Sequence, residues 1–185
     1  MAVFHGPNVH LRALEESDLP FVAQILRDDD TRTHFVGVPP LSTQQIEEDF
    51  KSAMRNRYAY WLAIEVWDPH AFVGFAAVYN IDWINGNGEC PICLSETWRK
   101  QGIGLEVRLL LVKVAFDYLR LNSITSKCSE TNIAMTRVNE RAGFQLQGRL
   151  TQRIFQQGAY HDQLIYGLTR EQWCTFSQNK QEHPL

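Results

Sequence analysis

The fold of this chain is decided by one stretch, Trp98-Arg99-Lys100-Gln101-Gly102-Ile103-Gly104-Leu105-Glu106. A short apolar run precedes it at residues 92–94, and apolar residues recur behind it at helical spacing from Leu105 to Leu119. The pattern predicts a strand, a glycine-rich turn and a long helix. The first N–H groups of a helix lack partners within the helix, and aligned peptide dipoles leave about half a positive charge there. The sequence therefore predicts a phosphate-binding turn beside two cations, Arg99 and Lys100.

The spacing of the glycines restricts the kind of phosphate ligand. Arg99, Gly102 and Gly104 form the pattern Arg-x-x-Gly-x-Gly. This is neither the six-position dinucleotide pattern nor a P-loop, since no Gly-Lys-Ser/Thr follows. An ordinary turn between a strand and a helix would carry the same residues, so the motif alone leaves both interpretations open.

Length and charge indicate one domain with a small partner. The chain has 185 residues, of which 44% are hydrophobic, and its net charge is -3. We expect one domain over residues 1–176 and a disordered polar tail over residues 177–185. The charge offers no field that attracts nucleic acid or an anionic membrane, and no apolar run is long enough to span a bilayer. We therefore expect a cytoplasmic protein that binds neither.

The four cysteines include a Cys-x-x-Cys pair, Cys90 and Cys93. Such a pair can hold a metal or carry redox chemistry. Here it flanks Pro91 and Ile92 in an apolar run, and no second pair stands at zinc spacing. Buried, reduced thiols and no metal site are therefore expected.

Periodicity and turn residues predict an alternating order of strands and helices. The predicted strands are residues 9–14, 60–66, 72–79, 89–95, 123–128, 144–155 and 160–168. Helices are predicted to begin at Ser17, at Ser42, after Gly102 and near Asn132, the last ending at Gly143. This order indicates an α/β fold with a mixed sheet and one parallel pair of strands joined across the central helix.

Three further segments match a known family in the right order. They are Asn132-x-x-Met135-x-Arg137-Val138-x-Glu140-Arg141-x-Gly143-Phe144, then Phe155-Gln156-Gln157-Gly158-Ala159-Tyr160-His161-Asp162, and, near the start, Leu11-Arg12-Ala13-Leu14 with Ser17-Asp18. Together with the glycine turn they resemble the GNAT superfamily of N-acetyltransferases. The branch is the one that acts on ribosomal-protein N-termini, polyamines and amino sugars. The resemblance runs from about Val9 to Trp173, and it implies a GNAT fold whose mixed sheet has about seven strands and a splayed parallel pair.

The resemblance also implies a site for acetyl-CoA as co-substrate. Main-chain N–H groups of Gln101, Gly102, Ile103, Gly104 and Leu105 would bind its pyrophosphate, with Arg99 and Lys100 as positive neighbours. Ile92 N–H would polarise the thioester carbonyl, and Leu94 would bind the pantetheine arm like an added strand. Asn132 would bind the arm from the other side, although an ordinary helix-capping role competes with that assignment.

The acceptor side is less clearly marked in the sequence. The resemblance implies that Glu89 is a general base or an anchor for the acceptor ammonium, because the branch commonly has Glu at this position. The alternative is that Glu89 is an ordinary solvated residue at the end of a strand. Asp82, Trp83 and Tyr160 are candidates for the acceptor site, and His34 is a weaker one. The family's Ser or Tyr acid would fall at Met135 or Asn139, and neither residue can protonate a thiolate. Pro91 stands where the family often has glycine.

The function implied by the resemblance is acetyl transfer from acetyl-CoA to a primary amine, by direct attack in a ternary complex. The acceptor would be a small molecule or a peptide, and the protein a possible homodimer. No nucleophilic Ser-His-Asp or Cys-His arrangement can be recognised, which disfavours a covalent acetyl-enzyme. The alternative is a non-catalytic acyl-CoA-binding module that kept the cofactor turn and lost the acid.

Overall fold

The computed structural model describes residues 4–29, 31 and 41–182, with side chains up to residue 178. Within them, one mixed sheet holds nine strands. In chain order the strands are β1 (Phe4–His5), β2 (Val9–Ala13), β3 (Tyr60–Val66), β4 (Ala71–Asp82), β5 (Asn87–Glu89), β6 (Ile92–Leu94), β7 (Ser123–Ser129), β8 (Gln145–Gln156) and β9 (Ala159–Thr169). Their spatial order is β1-β2-β3-β4-β5-β7-β9-β8, with β6 paired to β4.

The expected number of about seven strands is corrected to nine. β1 is a two-residue strand beside β2 that has no clear sequence signal. The strand predicted over residues 89–95 is divided into β5 and β6, because Pro91 lacks an N–H and cannot continue a regular ladder. The predicted parallel pair is confirmed, since β5 and β7 run parallel with Asn87 opposite Ser123 and Glu89 opposite Thr125.

Five α-helices of the described residues cover the sheet. They are α1 (Leu19–Arg27), α2 (Thr43–Met54), α3 (Ile103–Lys113), α4 (Ile133–Arg141) and α5 (Arg170–Glu182), and α3 continues into a π-helical turn, Val114–Tyr118. The predicted helix start at Ser42 is confirmed, and Ser42 caps α2 in a capping box with Gln45. Helix α5 includes residues 177–182, which the sequence analysis assigns to a disordered tail. None of the helices in the described part is long and apolar enough to cross a membrane.

The two faces of the sheet carry separate cores. Leu62, Ile64 and Val66 of β3 join the larger core, which includes the buried face of α3. Ala63, between them, faces the opposite core with residues of α1 and α2. This division follows from the alternation of side chains along a strand. Cys90 and Cys93 are buried free thiols as expected. Cys128 is also buried and free, whereas Cys174 is exposed.

Candidate active site

Two parallel strands separate at one point of the sheet. β5 stays paired with β7 as far as Glu89 and Thr125, and the N–H of Cys90 donates a last hydrogen bond to Thr125 O at 2.9 Å. After Pro91 the chain continues as β6, which pairs with β4 alone, while β7 continues beside β9. The two strands therefore leave a fork between them, which opens toward the ends of β6 and β7.

The register of β6 directs two backbone amides into this fork. Ala77 N–H donates to Pro91 O at 3.2 Å and Ser95 N–H donates to Val73 O at 2.9 Å. Hydrogen-bonded and non-hydrogen-bonded pairs alternate in antiparallel strands, so Ile92 and Leu94, opposite Ala76 and Gly74, point their polar backbone groups away from β4. These are the two residues that the resemblance assigns to the thioester and the pantetheine arm.

The turn that follows is shaped by Gly102. Its φ of 85° is in the left-handed region, and it is the N-cap of α3. A Cβ built on it would meet nothing within 4 Å. In the described part of the chain, the N–H groups of residues 101–104 donate to no protein acceptor, whereas Leu105 N–H already donates to Gly102 O at 3.1 Å. These open donors beside open space fit a diphosphate, with Leu105 less available than predicted.

The charged residues of the turn differ in their surroundings. Arg99 Nε donates to Leu94 O at 3.0 Å, and its guanidinium also bonds the Thr31 hydroxyl. Arg99 thus holds the end of β6 in place. Lys100 is exposed, and its φ of 61° belongs to the same tight turn. The carboxylate of Glu106, in the first turn of α3, accepts from the backbone of Asn8 and Val9 at 2.7 and 3.0 Å, which fixes that negative charge.

Asn132 lies at the start of α4, on the other side of the fork. Its Oδ1 accepts from Met135 N–H at 3.0 Å, so the helix-capping role considered from sequence is present. The side-chain NH2 makes no hydrogen bond to any described residue. The residue therefore retains a donor for a ligand while it caps the helix.

Glu89 is held in a network at the closed end of the fork. Its carboxylate accepts from Lys127 Nζ at 2.8 Å, from Tyr79 Oη at 3.1 Å and from Asn80 Nδ2 at 3.2 Å. Burial alone raises the pKa of Glu89, but the hydrogen bonds from Lys127 and Asn80 and the Lys127 charge hold this pKa below its ordinary value. Burial, together with the Glu89 charge, raises the pKa of Tyr79 to about 12. Glu89 is thus an ionised, partnered carboxylate.

A groove adjoins this network. Trp61 lies 6.3 Å from Tyr79 between ring centroids, and it forms one wall of a groove of about 380 Å³. The lining residues are Ala13, Leu14, Met54, Arg55, Asn56, Arg57, Ala59, Tyr60 and Trp61. The Trp61 Nε1 is buried without a hydrogen-bond partner in the described part of the chain. The groove is therefore a candidate path for an acceptor toward Glu89.

Two of the predicted acceptor residues lie at the end of β4, where Asp82 is opposite Asn87 of β5. Asp82 shapes the turn after β4, where its Oδ1 accepts from the N–H of Ile84 and Asn85 at 2.9 and 3.0 Å. Trp83 is 44% exposed, and its ring contacts Tyr60 at the rim of the groove. His34 lies outside the described residues.

Tyr160 is far from the network. Glu89 is level with Thr125 and Gly167, and Tyr160 precedes Gly167 by about seven residues on β9, or about 23 Å of strand. It is 65% exposed and packs against Phe155 near the hairpin turn. The register of β9 therefore keeps Tyr160 away from the closed end of the fork.

The chain matches a family model and a relative of known sequence over most of its length. Residues 8–145 match the family model described as "Acetyltransferase (GNAT) domain". A relative from Bacillus subtilis (strain 168), the SPbeta prophage-derived uncharacterized N-acetyltransferase YokL, is 27% identical over 172 residues, which cover 91% of this chain and 93% of the relative.

Two solved structures share the fold. One is spermidine N-acetyltransferase from Vibrio cholerae in complex with CoA and spermine, with a TM-score of 0.86, 20% identity and coverage of 91% of this chain and 99% of that chain. The other is RimL, a ribosomal L7/L12 alpha-N-protein acetyltransferase in complex with CoA, with a TM-score of 0.79, 22% identity and coverage of 91% and 98%. The family match spans most of the chain, and the chain belongs to the GNAT acetyltransferase family.

Proposed function

We propose that the protein transfers the acetyl group of acetyl-CoA to a primary amine, by direct attack while both substrates are bound. The observation that carries this proposal is the arrangement of unused backbone donors around one fork. Ile92 and Leu94 point their N–H groups into it, and the open start of α3 lies beyond its wide end. A single extended ligand can thus place its diphosphate at Gly102 and its thioester at Ile92.

Acetyl-CoA supplies an acetyl thioester: the amine nitrogen bonds the carbonyl carbon, the carbon–sulfur bond breaks, and its electron pair leaves on sulfur. Ile92 N–H faces the place where negative charge develops on the carbonyl oxygen, and a preorganised donor is most effective there. The N–H groups of Gly102, Ile103 and Gly104 bind the diphosphate, and Lys100 adds a positive charge. Leu94 and the free amide of Asn132 hold the arm between them.

Glu89 acts in this proposal as an anchor for the acceptor. A carboxylate whose pKa is held below its ordinary value is a weak proton acceptor at neutral pH, which argues against a role as general base. It is a fixed negative charge beside the groove at Trp61, and it can orient an approaching ammonium. The ammonium loses one proton to water before the amine attacks, and the nitrogen loses a second proton to water as the carbon–sulfur bond breaks.

The acceptor class is proposed from the family branch. A protein N-terminus, a polyamine and an amino sugar are all candidates, and the solved relatives include one enzyme named for spermidine and one named for a ribosomal protein. Lys127 already pairs with Glu89, and Arg55 and Arg57 line the groove. These cations disfavour a strongly polycationic acceptor, so peptides and amino sugars should be tested first.

The proposal is tested by the release of CoA thiol. Purified protein with acetyl-CoA is offered a panel of N-terminal peptides, polyamines and amino sugars, and free thiol is measured together with the acetylated product. We expect stoichiometric thiol and N-acetyl product with at least one class. If acetyl-CoA binds but no member of the panel yields product, the non-catalytic binding module is favoured, because Met135 and Asn139 offer no acid. Failure to bind acetyl-CoA would contradict both functions.

A Glu89→Gln substitution separates anchor from base. We expect kcat/KM to fall by about tenfold, well below the hundredfold or more that loss of a general base costs. The acid limb of the pH profile should remain in place, because it follows deprotonation of the acceptor amine. The control is an acceptor whose amine pKa is about one unit higher, which should move that limb by the same amount. Loss of the limb in the variant would instead identify Glu89 as the base.

A further inference from the structure

Arg108 is a buried charge at the closed end of the fork. It projects from α3, and its side chain has 0% exposure. Nη1 donates to Cys90 O, where the strand breaks, and to Cys90 Sγ at 3.0 Å. Nη2 donates to Ser126 Oγ at 2.9 Å, on the other strand of the fork, and to Met135 Sδ at 3.2 Å on α4. The guanidinium therefore spans the point where β5 and β7 separate.

The charge of Arg108 has no negative partner in the described residues. Its acceptors are a carbonyl, a hydroxyl and two sulfur atoms, it stacks on the Phe144 ring at 5.2 Å, and its Nε is buried without an acceptor. Arg12, the contrasting case, pairs with the carboxylates of Asp18 and Glu65 at 2.7 and 2.6 Å. A buried charge is costly unless it is paired, so an unpaired one indicates a functional demand at this place.

Arg108 lies beside the positions where the family has its general acid. Met135, which its Nη2 contacts, is one of the two positions where the family has a proton donor for the departing sulfur. The other is Asn139, one helical turn further along α4, where both side-chain polar atoms are buried without partners. Neither residue can neutralise a thiolate. We propose that Arg108 stabilises the CoA thiolate as it leaves, in place of the missing acid; this inference rests on the proposed acetyl transfer.

The distances allow a charge to act without direct exposure. Nη2 contacts Met135 Sδ at 3.2 Å, so the guanidinium lies one side chain away from a position where the family has its acid. The Cα atoms of Cys90, whose carbonyl Arg108 holds, and of Ile92, at the proposed thioester, are at most about 7 Å apart. An electrostatic interaction over that distance is large inside a protein, where the effective dielectric constant is far below that of water. Arginine does not give up its proton, so the electron pair of the broken carbon–sulfur bond stays on sulfur. The thiolate takes its proton from water after release.

The other ionisable groups around the guanidinium do not cancel its charge. Cys90 and Cys128 are the nearby thiols, and burial raises the pKa of both. Glu89 precedes Cys90, but its carboxylate is bound to Lys127 on β7. Helix α4 contributes Met135, which is neutral. An unpaired guanidinium thus remains available to a negative sulfur.

The inference predicts how CoA binding depends on pH in the unmodified protein. CoA is compared with desulfo-CoA, which lacks the sulfur and reports every other effect of pH on the site. If Arg108 stabilises the thiolate, the bound thiol should have a pKa about one unit or more below that of free CoA. The affinity for CoA relative to desulfo-CoA should then rise by about tenfold as pH increases through that range. A ratio that stays constant with pH would refute the inference, while failure of both ligands to bind would refute the proposed function instead.

Substitutions assign the effect to Arg108. Arg108→Met should abolish the pH-dependent ratio and lower kcat by about 10- to 100-fold with little change in the KM for acetyl-CoA. Arg108→Lys, which keeps the charge, should restore part of both. Arg170→Met is the matched control, since Arg170 also bonds backbone carbonyls and stacks on a ring, Phe116, but lies away from the fork. Equal effects from the two Met variants would indicate a structural role for Arg108. If Arg108→Met does not fold, the CoA and desulfo-CoA comparison on the unmodified protein still decides.

Discussion

Gly102→Val should weaken the binding of CoA by about a hundredfold. Gly102 has a φ of 85°, a conformation that a β-branched residue adopts only with strain. A Cβ there meets no protein atom within 4 Å, so the valine side chain would project into the open space beside the turn, where the proposed diphosphate lies. The proposed ligand needs the turn in this conformation, so the free variant can relieve about 1–3 kcal/mol of strain that binding would restore. This cost and the obstruction together give the expected size of the loss. Calorimetric titration with CoA measures it.

Gly158→Val is the matched control for this experiment. Gly158 has a φ of 82° and also has nothing within 4 Å of a built Cβ, but it lies in the turn between β8 and β9. It should suffer a similar loss of thermal stability and keep the affinity for CoA. Equal losses of affinity in the two variants, or none at Gly102, would mean that the turn does not hold the ligand.

Ile92→Pro should reduce kcat/KM by about 100- to 1000-fold, the usual cost of losing one donor to a developing oxyanion. Proline removes the N–H at this position, which points into the fork rather than to β4, so no bond of the ladder is lost. It also fixes φ and shortens a side chain that packs against the core, so a modest loss of stability is expected. We therefore expect the variant to fold and to retain most of its affinity for CoA. Steady-state kinetics with a fitting acceptor, and a melting curve, are the required measurements.

The neighbouring residue provides the comparison. Cys93, opposite Phe75, is in a hydrogen-bonded pair of the same ladder, so Cys93→Pro breaks a bond to β4. It should lower the melting temperature more than Ile92→Pro does. A fully active Ile92→Pro enzyme would show that another donor polarises the thioester.

Local patterns were sufficient to predict the order of strands and helices along the chain, one parallel pair of strands and the glycine turn. Gly102 and Gly104 stand at the start of α3, and β5 and β7 are parallel as predicted. The path of the chain after the strand break at Pro91 was harder to predict. A proline indicates that a ladder cannot continue, but only the pairing of β6 with β4 shows where the chain goes next. The direction of the Ile92 amide depends on that register.

Helix α3 shows why the most informative side chain was missed. The sequence suggested an apolar face from Leu105 to Leu119, and its members Val112, Ala115 and Phe116 are fully buried. Leu105 and Leu109 are only half-buried, whereas Val107 and Leu111, off that face, are fully buried. A helix buried on several sides has no clear stripe, so periodicity cannot identify its inner face. An arginine in it is read as solvated until the structure shows its neighbours. Arg108 is such a case.

Lys127, the partner of Glu89, shows that an ion pair between distant residues cannot be predicted from local sequence patterns. Lys127 lies 38 residues further along the chain, and the two meet because β5 and β7 are adjacent. Sequence identified Glu89 as base or anchor, and the ion pair that favours the anchor depends on this tertiary contact. Tyr160, a candidate acceptor residue from the sequence, lies about 23 Å along β9 from the level of Glu89, which only the strand register shows.

The central claim is that the amides opening α3 grip the diphosphate of CoA. The most direct measurement is a titration of ¹⁵N-labelled protein with CoA and, separately, with pantetheine, which has no diphosphate. The amide signals of Gly102, Ile103 and Gly104 should show the largest shifts with CoA and small shifts with pantetheine. If those three signals stay in place with CoA, or move equally with both ligands, the claim is contradicted.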